Sequence, residues 1–149
     1  MIRDQETLDQ LLDMIRQFVE GVLIPNEALL AETDEIPADI IQQMKDLGLF
    51  GFTIPEEYAG LGLTMEEEVY IAFELGRTSP AFWSLIGTNN GIGSSGLVID
   101  GTEQQKQCYL PRLARGEIIG SFCLTEPDSG SDAASLKTTA NKDGNQYIL

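Results

Sequence analysis

Ile118-Ile119-Gly120-Ser121-Phe122-Cys123-Leu124, followed by Thr125-Glu126-Pro127-Asp128-Ser129-Gly130-Ser131-Asp132-Ala133-Ala134-Ser135, is the stretch on which the fold turns. Residues 118–124 are β-branched, aromatic or small, with no helical spacing, and read as a strand. Pro, Asp, Ser and Gly then crowd into residues 126–132, the composition of an ordered turn. Residues 136–140 fit a second strand and Asn141-Lys142-Asp143-Gly144-Asn145 a hairpin turn. Gln146-Tyr147-Ile148-Leu149 begins a third strand. So short an edge lacks support, and the sequence is expected to stop inside a β domain that opens at residue 118.

Everything upstream of residue 118 carries the helical period. Leu8, Leu11, Leu12, Ile15, Phe18, Val19, Val22 and Leu23 recur at three- and four-residue steps, which predicts a long amphipathic helix ending at Pro25. A second helix is expected from near Pro37, with Ile40, Ile41, Met44 and Leu47 inward and Gly48 as its left-handed stop. Residues 49–63, rich in Gly, Pro and aromatics, read as an ordered loop on the helices. Thr64 with Glu67 forms a capping box for a third helix, whose packing face is read as Val69, Ala72, Phe73 and Gly76. Residues 80–99 suggest one or two buried helices. Thr102 with Gln105 starts the last helix, interrupted at Pro111 and ended by Gly116. The expected division is therefore a helical domain over residues 1–117 and the beginning of a β domain over residues 118–149.

Composition narrows the chemistry. The chain has 149 residues, with 24 acidic and 9 basic side chains and a formal charge of −15. That sign repels phosphate backbones and anionic headgroups, so neither nucleic acid nor a membrane surface is an expected partner. No apolar run approaches the roughly 18 residues of a membrane span. Met1-Ile2-Arg3-Asp4-Gln5-Glu6 holds no apolar signal core and is no transit peptide, which suggests a cytoplasmic protein. Cys108 and Cys123 match no redox or metal spacing and are read as reduced and partly buried. Histidine is absent. That excludes Ser-His and Cys-His nucleophile pairs and nearly all catalytic zinc sites within this sequence. Chemistry here must run on carboxylates, on a cofactor, or on residues supplied elsewhere.

Three motifs compete for a functional role. Gly91-Ile92-Gly93-Ser94-Ser95-Gly96 spells G-x-G-x-x-G, but polar Thr88-Asn89-Asn90 stands where a dinucleotide fold needs a buried strand. Close helix packing is the simpler account of those glycines. Glu66-Glu67-Glu68 sits in a first helical turn, where the macrodipole favours negative charge, and needs no metal to explain it. The loop at residues 125–132 is the stronger candidate. Thr125 and Ser131 could donate to a negatively polarised ligand, with Glu126 and Asp132 bracing the turn. From these residues alone, a purely structural turn is the favoured reading.

A resemblance decides the matter. Residues 123–135 closely resemble a signature of the acyl-CoA dehydrogenase family: small, aliphatic, Ser/Thr, Glu, two free positions, small, Gly, Ser/Thr, Asp, two free positions, small. Every fixed position is met. Leu47-Gly48-Leu49-Phe50-Gly51 with Ile54-Pro55-Glu56-Glu57-Tyr58-Ala59-Gly60-Leu61-Gly62 is similar to the family's loop after its second main helix. Gly101-Thr102-Glu103-Gln104-Gln105-Lys106 and Tyr109-Leu110-Pro111-Arg112-Leu113-Ala114-Arg115-Gly116-Glu117 resemble the helix leading into its β domain.

The resemblance implies a mainly α fold: a helical bundle of the acyl-CoA dehydrogenase type, followed by the first strands of a truncated flavin-binding β domain. It implies FAD as cofactor and α,β-desaturation of an acyl-CoA thioester as the reaction. It further implies an electron-transfer flavoprotein as acceptor and a homotetramer at full length. Phe122, Leu124 and Thr125 fall where the family's strand meets the flavin ring, with the Thr125 hydroxyl near N5. Gly130 would admit the close approach of backbone, and Ser131 falls where the family touches both flavin and thioester. Residues 83–95 match the helix lining the acyl pocket. The catalytic glutamate of the family lies beyond Leu149, so no residue here takes that role. The chain alone is expected to hold part of a flavin site and to show no turnover. Acyl-CoA oxidases and some flavin monooxygenases share the architecture, and a non-catalytic helical interaction module is the remaining alternative.

Overall fold

A computed structural model describes residues 5–149. Residues 1–4, part of the segment read above as lacking a signal core, lie outside the described residues. Seven α-helices, with short π and 3₁₀ segments, precede a long extended tail that closes in a small hairpin. Helix α1 is Gln5–Phe18, α2 Glu27–Thr33, α3 Ala38–Asp46, α4 Met65–Leu75, α5 Pro80–Asn90, α6 Ile92–Asp100 and α7 Glu103–Ala114. Strands β1, Asn141–Asp143, and β2, Gln146–Ile148, pair antiparallel with Lys142 opposite Tyr147.

The first helix does not stop at Pro25. Its path widens into a π turn over Val19–Leu23, where Ile24 N–H reaches back to Val19 O, and tightens into a 3₁₀ turn over Ile24–Asn26. Proline lacks the N–H of an ordinary turn and its ring crowds the carbonyl four residues back; the π turn relieves both and lets α2 follow. Asp34, at φ 57°, then ends α2 in the left-handed region.

Helix α3 ends as expected at Gly48, at φ +71°. Gly48 N–H donates to Lys45 O at 2.9 Å and Leu49 N–H to Met44 O at 3.1 Å, the bond pair of a Schellman cap. The cap turns residues 49–63 straight back over the bundle. Leu49, Phe50, Phe52, Ile54, Tyr58 and Leu63 are all buried there. Backbone bonds from Leu61 N–H to Gly51 O and from Leu63 N–H to Phe52 O hold the loop as a closed Ω-like unit.

The main core joins this loop to α1, α3, α4 and α5 through Ile15, Val19, Leu23, Ile40, Met44, Phe50, Phe52, Ile71, Leu75, Phe82 and Ile86. A smaller cluster, Ile54, Tyr58, Leu110, Leu113 and Ala114, seats α7 on the same loop. Ionic contacts reinforce the α1–α4 seam. Arg16 donates to Glu74 Oε1 at 3.0 and 2.7 Å, and Arg77 bridges Glu74 Oε2 at 2.9 Å to Glu20 at 2.7 Å.

Several expectations need correcting. The packing face of α4 is Ile71 and Leu75, whereas Phe73 is 72% exposed and Val69 also faces outward. The α period allows either stripe; partners on α1 and in the loop decide which one turns inward. Residues 80–99 do form two helices, but only Ser94 of α6 is buried. Cys108 and Cys123 are free, as expected, yet both are exposed. Residues 118–124 and 136–140, read as strands, join no ladder, because a strand exists only beside a partner and none among the described residues lies there. Residues 141–143, read as turn, are themselves β1, and the turn is Gly144-Asn145, with Gly144 at φ +59°.

Candidate functional site

The turn after residue 125 is built from short bonds. Glu126 N–H donates to Ser129 O at 2.8 Å, and Ser129 N–H returns to Glu126 O at 3.3 Å. Ser129 is buried and its hydroxyl donates to Asp132 O at 2.6 Å, while the Ser135 hydroxyl donates to the Asp132 carboxylate at 2.5 Å. The Glu126 carboxylate reaches across the loop and accepts the backbone N–H of Thr138 at 2.8 Å and of Lys137 at 2.9 Å. Bonds from Thr138 and then Lys137 hold its pKa below the ordinary carboxylate value. Glu126 is thus an anion with both carboxylate oxygens bonded to backbone N–H groups, which braces the turn.

The five candidate residues lie along this segment. Phe122 is 55% exposed, Leu124 half-buried and Thr125 exposed. Gly130 is half-buried and Ser131 exposed. Thr125 and Gly130 meet: a Cβ on Gly130 would stand 3.4 Å from the Thr125 methyl. The hydroxyls of Thr125 and Ser131 make no hydrogen bond within the described residues, so both donors remain available to a ligand on the open side. The segment presents an exposed aromatic and a half-buried aliphatic side chain, a Thr packed on a Gly, and two hydroxyls without hydrogen bonds among the described residues on a braced turn.

Two residues that sequence reasoning passed over act as anchors, Asn89 for this segment and Asn90 for the buried loop at residues 49–63. Asn89 is fully buried; its Nδ2 donates to Leu113 O and Ile118 O at 3.0 Å each, and its Oδ1 accepts Gly120 N–H at 2.7 Å. Asn90 donates to Leu49 O and Ile86 O and accepts Thr53 N–H. The signal was visible as two adjacent amides at the end of an apolar helix, where burial demands partners. The preceding helix α5, not a strand, removes the dinucleotide account of residues 91–96. Close packing explains Gly93, whose Cβ would meet Thr88 O at 2.6 Å, but not Gly96, which faces open space.

Between α4, α6 and the loop lies a cleft of about 260 Å³ bordered by Met65, Glu68, Asn90, Ser94, Val98 and Ile99. Burial raises the Glu68 pKa there. Among the described residues, no group of three or more Cys, Asp or Glu side chains is placed to hold a metal, and no helix is long and apolar enough to cross a membrane.

Comparison with known proteins now bears on this geometry. The family profile described as "Acyl-CoA dehydrogenase, N-terminal domain" matches residues 5–117. The chain belongs to the acyl-CoA dehydrogenase family. An acyl-CoA dehydrogenase of Bacillus subtilis (strain 168) is 38% identical over 136 residues, covering 91% of this chain and 36% of that protein. A chain in the structure of the electron transferring flavoprotein of Acidaminococcus fermentans superposes with a TM-score of 0.87 at 32% identity, over 100% of this chain and 39% of that one. An acyl-CoA dehydrogenase from Bacillus anthracis complexed with FAD gives 0.83 at 34% identity, over 98% and 25%. The chain spans little more than a third of the first curated relative and 26% of the next. As in the expectation from sequence, the fold is mainly helical with a short sheet at its end, and it is the fold of the N-terminal part of acyl-CoA dehydrogenases.

Proposed function

We propose that this chain forms the helical wall and flavin-facing loop of an FAD-dependent acyl-CoA dehydrogenase that desaturates an acyl-CoA thioester between its α and β carbons. The observation that carries the reading is the braced loop at residues 123–135, with every signature position in place and two hydroxyls unused, following a helical unit that matches the family profile over residues 5–117. The catalytic base is a carboxylate outside this chain, since the only glutamate in the loop is committed to two backbone N–H groups.

FAD, when bound, accepts the β hydrogen as hydride. The chain's own residues hold and orient it. Phe122 and Leu124 would offer apolar contact to the ring, and Thr125 would donate a hydrogen bond to its edge. Gly130 keeps the turn low enough for close approach, and Ser131 donates toward flavin and thioester together. Residues 83–95 flank the acyl chain. Electrons leave to an electron-transfer flavoprotein, and the full-length enzyme assembles as a tetramer. The test is a panel of acyl-CoA thioesters added to the protein expressed from its complete reading frame. Bleaching of the flavin absorbance by at least one thioester is expected. A colourless protein, or a flavin that no thioester reduces, would overturn the assignment.

A further inference from the structure

We propose that Asn89 is a positioning residue for the flavin-facing segment, acting together with the contact between Gly93 and Gly120; this rests on residues 122–131 being the flavin wall. Residues 119–124 run without a ladder partner among the described residues, so sheet pairing does not locate them. One side chain does. The Asn89 amide, at the end of α5, ties Leu113 O on α7, Ile118 O and Gly120 N–H by bonds of 3.0, 3.0 and 2.7 Å. An amide alone among side chains of this size supplies two donors and an acceptor in one plane.

A second observation is independent of those bonds. A Cβ on Gly120 would stand 3.1 Å from Gly93 Cα, and one on Gly93 would stand 3.2 Å from Gly120 Cα. Helix α6 therefore meets the start of the segment backbone to backbone, without an intervening side chain. The junction of α5 and α6 and the root of the segment are thus joined both by the Asn89 bonds and by direct backbone contact. Phe122 and Thr125 follow within a few residues of that root, so their placement is inherited from it. On the reading above, α5 also flanks the acyl chain. The junction thus sets the substrate and the flavin in register, and small errors in such register cost rate steeply.

The experiment uses the protein expressed from its complete reading frame, with FAD as the probe. Wild type comes first: if it holds no flavin, the proposed function falls and this assignment with it. Asn89→Leu keeps the branched heavy-atom shape but deletes the three bonds, and Gly120→Ala keeps the Asn89 side chain but crowds the Gly93 backbone, where its Cβ would stand 3.1 Å from Gly93 Cα. Met44→Ala, a core truncation on α3, is the control for lost stability. Asn89→Leu and Gly120→Ala are expected to shift the flavin's visible circular dichroism, weaken FAD retention and slow flavin reduction by about tenfold or more. Met44→Ala should lower the melting temperature and leave the flavin signals as they were. Should Asn89→Leu fail to fold, Gly120→Ala decides alone. A wild-type flavin spectrum and reduction rate in the Gly120→Ala protein would overturn the proposal while leaving the proposed function intact.

Discussion

Glu126 shows how one carboxylate can order a loop without taking part in chemistry. Its pKa is lowered by the Thr138 and Lys137 bonds, so the brace is complete above the ordinary carboxylate value and is lost as pH falls through the lowered one. The amide proton shifts of Lys137 and Thr138 should titrate together, with a midpoint below the usual glutamate range. A midpoint at or above that range would show that the brace is not formed in solution. Glu126→Gln should abolish the titration and loosen the loop, because a neutral amide oxygen accepts more weakly than a carboxylate. Gly60 makes a different point. A Cβ there would lie 1.9 Å from Ile54 O, so Gly60→Ala must shift backbone in the Ω-like loop. The expected cost is about 1–3 kcal/mol, read as a melting temperature lower by roughly 2–4 °C for each kcal/mol in a chain of this size.

Among the elements, α4 carries most of the lessons. Its start was legible: Thr64 and Glu67 exchange the reciprocal bonds of a capping box, with Thr64 N–H donating to Glu67 at 2.7 Å and Glu67 N–H to the Thr64 hydroxyl at 3.4 Å. Thr64→Ala should cost about 1 kcal/mol, measured by denaturant midpoint. Its inward face was not legible, because Val69–Phe73 and Ile71–Leu75 are both apolar pairs four apart, and only tertiary partners choose between them. The same limit applies to Pro25. Local rules end a helix there, but a π turn is stable only when Val19 and Leu23 have a core to bury in. The candidate loop was legible for the opposite reason. Its identity lies in a fixed order of residue types, whereas the anchors Asn89 and Asn90 depend on which carbonyls folding brings to them. Glu74 belongs to this scale too. The hydrogen bond from Arg16, then that from Arg77, lowers its pKa, so the α1–α4 clamp stabilises above the ordinary carboxylate value and fades as pH falls through the lowered one. Glu74→Gln should lower the melting temperature by a few degrees at neutral pH and leave it nearly unchanged in strong acid. Equal losses at both pH values would mean that packing, not charge, accounts for the effect.

For the molecule as a whole, order is unevenly distributed. The buried core is confined to residues 8–114, where helices and the Ω-like loop enclose six fully or nearly fully buried aromatic and aliphatic side chains from residues 49–63 alone. Beyond residue 118 only Ser129 is buried, and Ile119, Phe122, Leu136, Tyr147, Ile148 and Leu149 stand in solvent. Two paired strands of three residues each do not stabilise themselves. The helical part should therefore fold on its own, while the flavin-facing segment is held only by its root at Asn89 and Gly120 and by the local bonds of the Glu126 turn. A ligand that binds such a segment must order it at the moment of binding, which subtracts directly from affinity. The 149-residue chain is accordingly expected to purify without flavin colour and to turn over no acyl-CoA. Hydrogen exchange should show slow amides in α1, α3, α4, α5 and α7 and fast ones over residues 121–125 and 139–140, with the bonded amides of Glu126, Ser129, Lys137 and Thr138 intermediate. Added FAD should bind weakly or not at all in a titration that follows flavin fluorescence. A yellow 149-residue chain that survives gel filtration would mean that the braced loop alone is enough of a site, and that the missing walls of the pocket contribute reactivity and not binding.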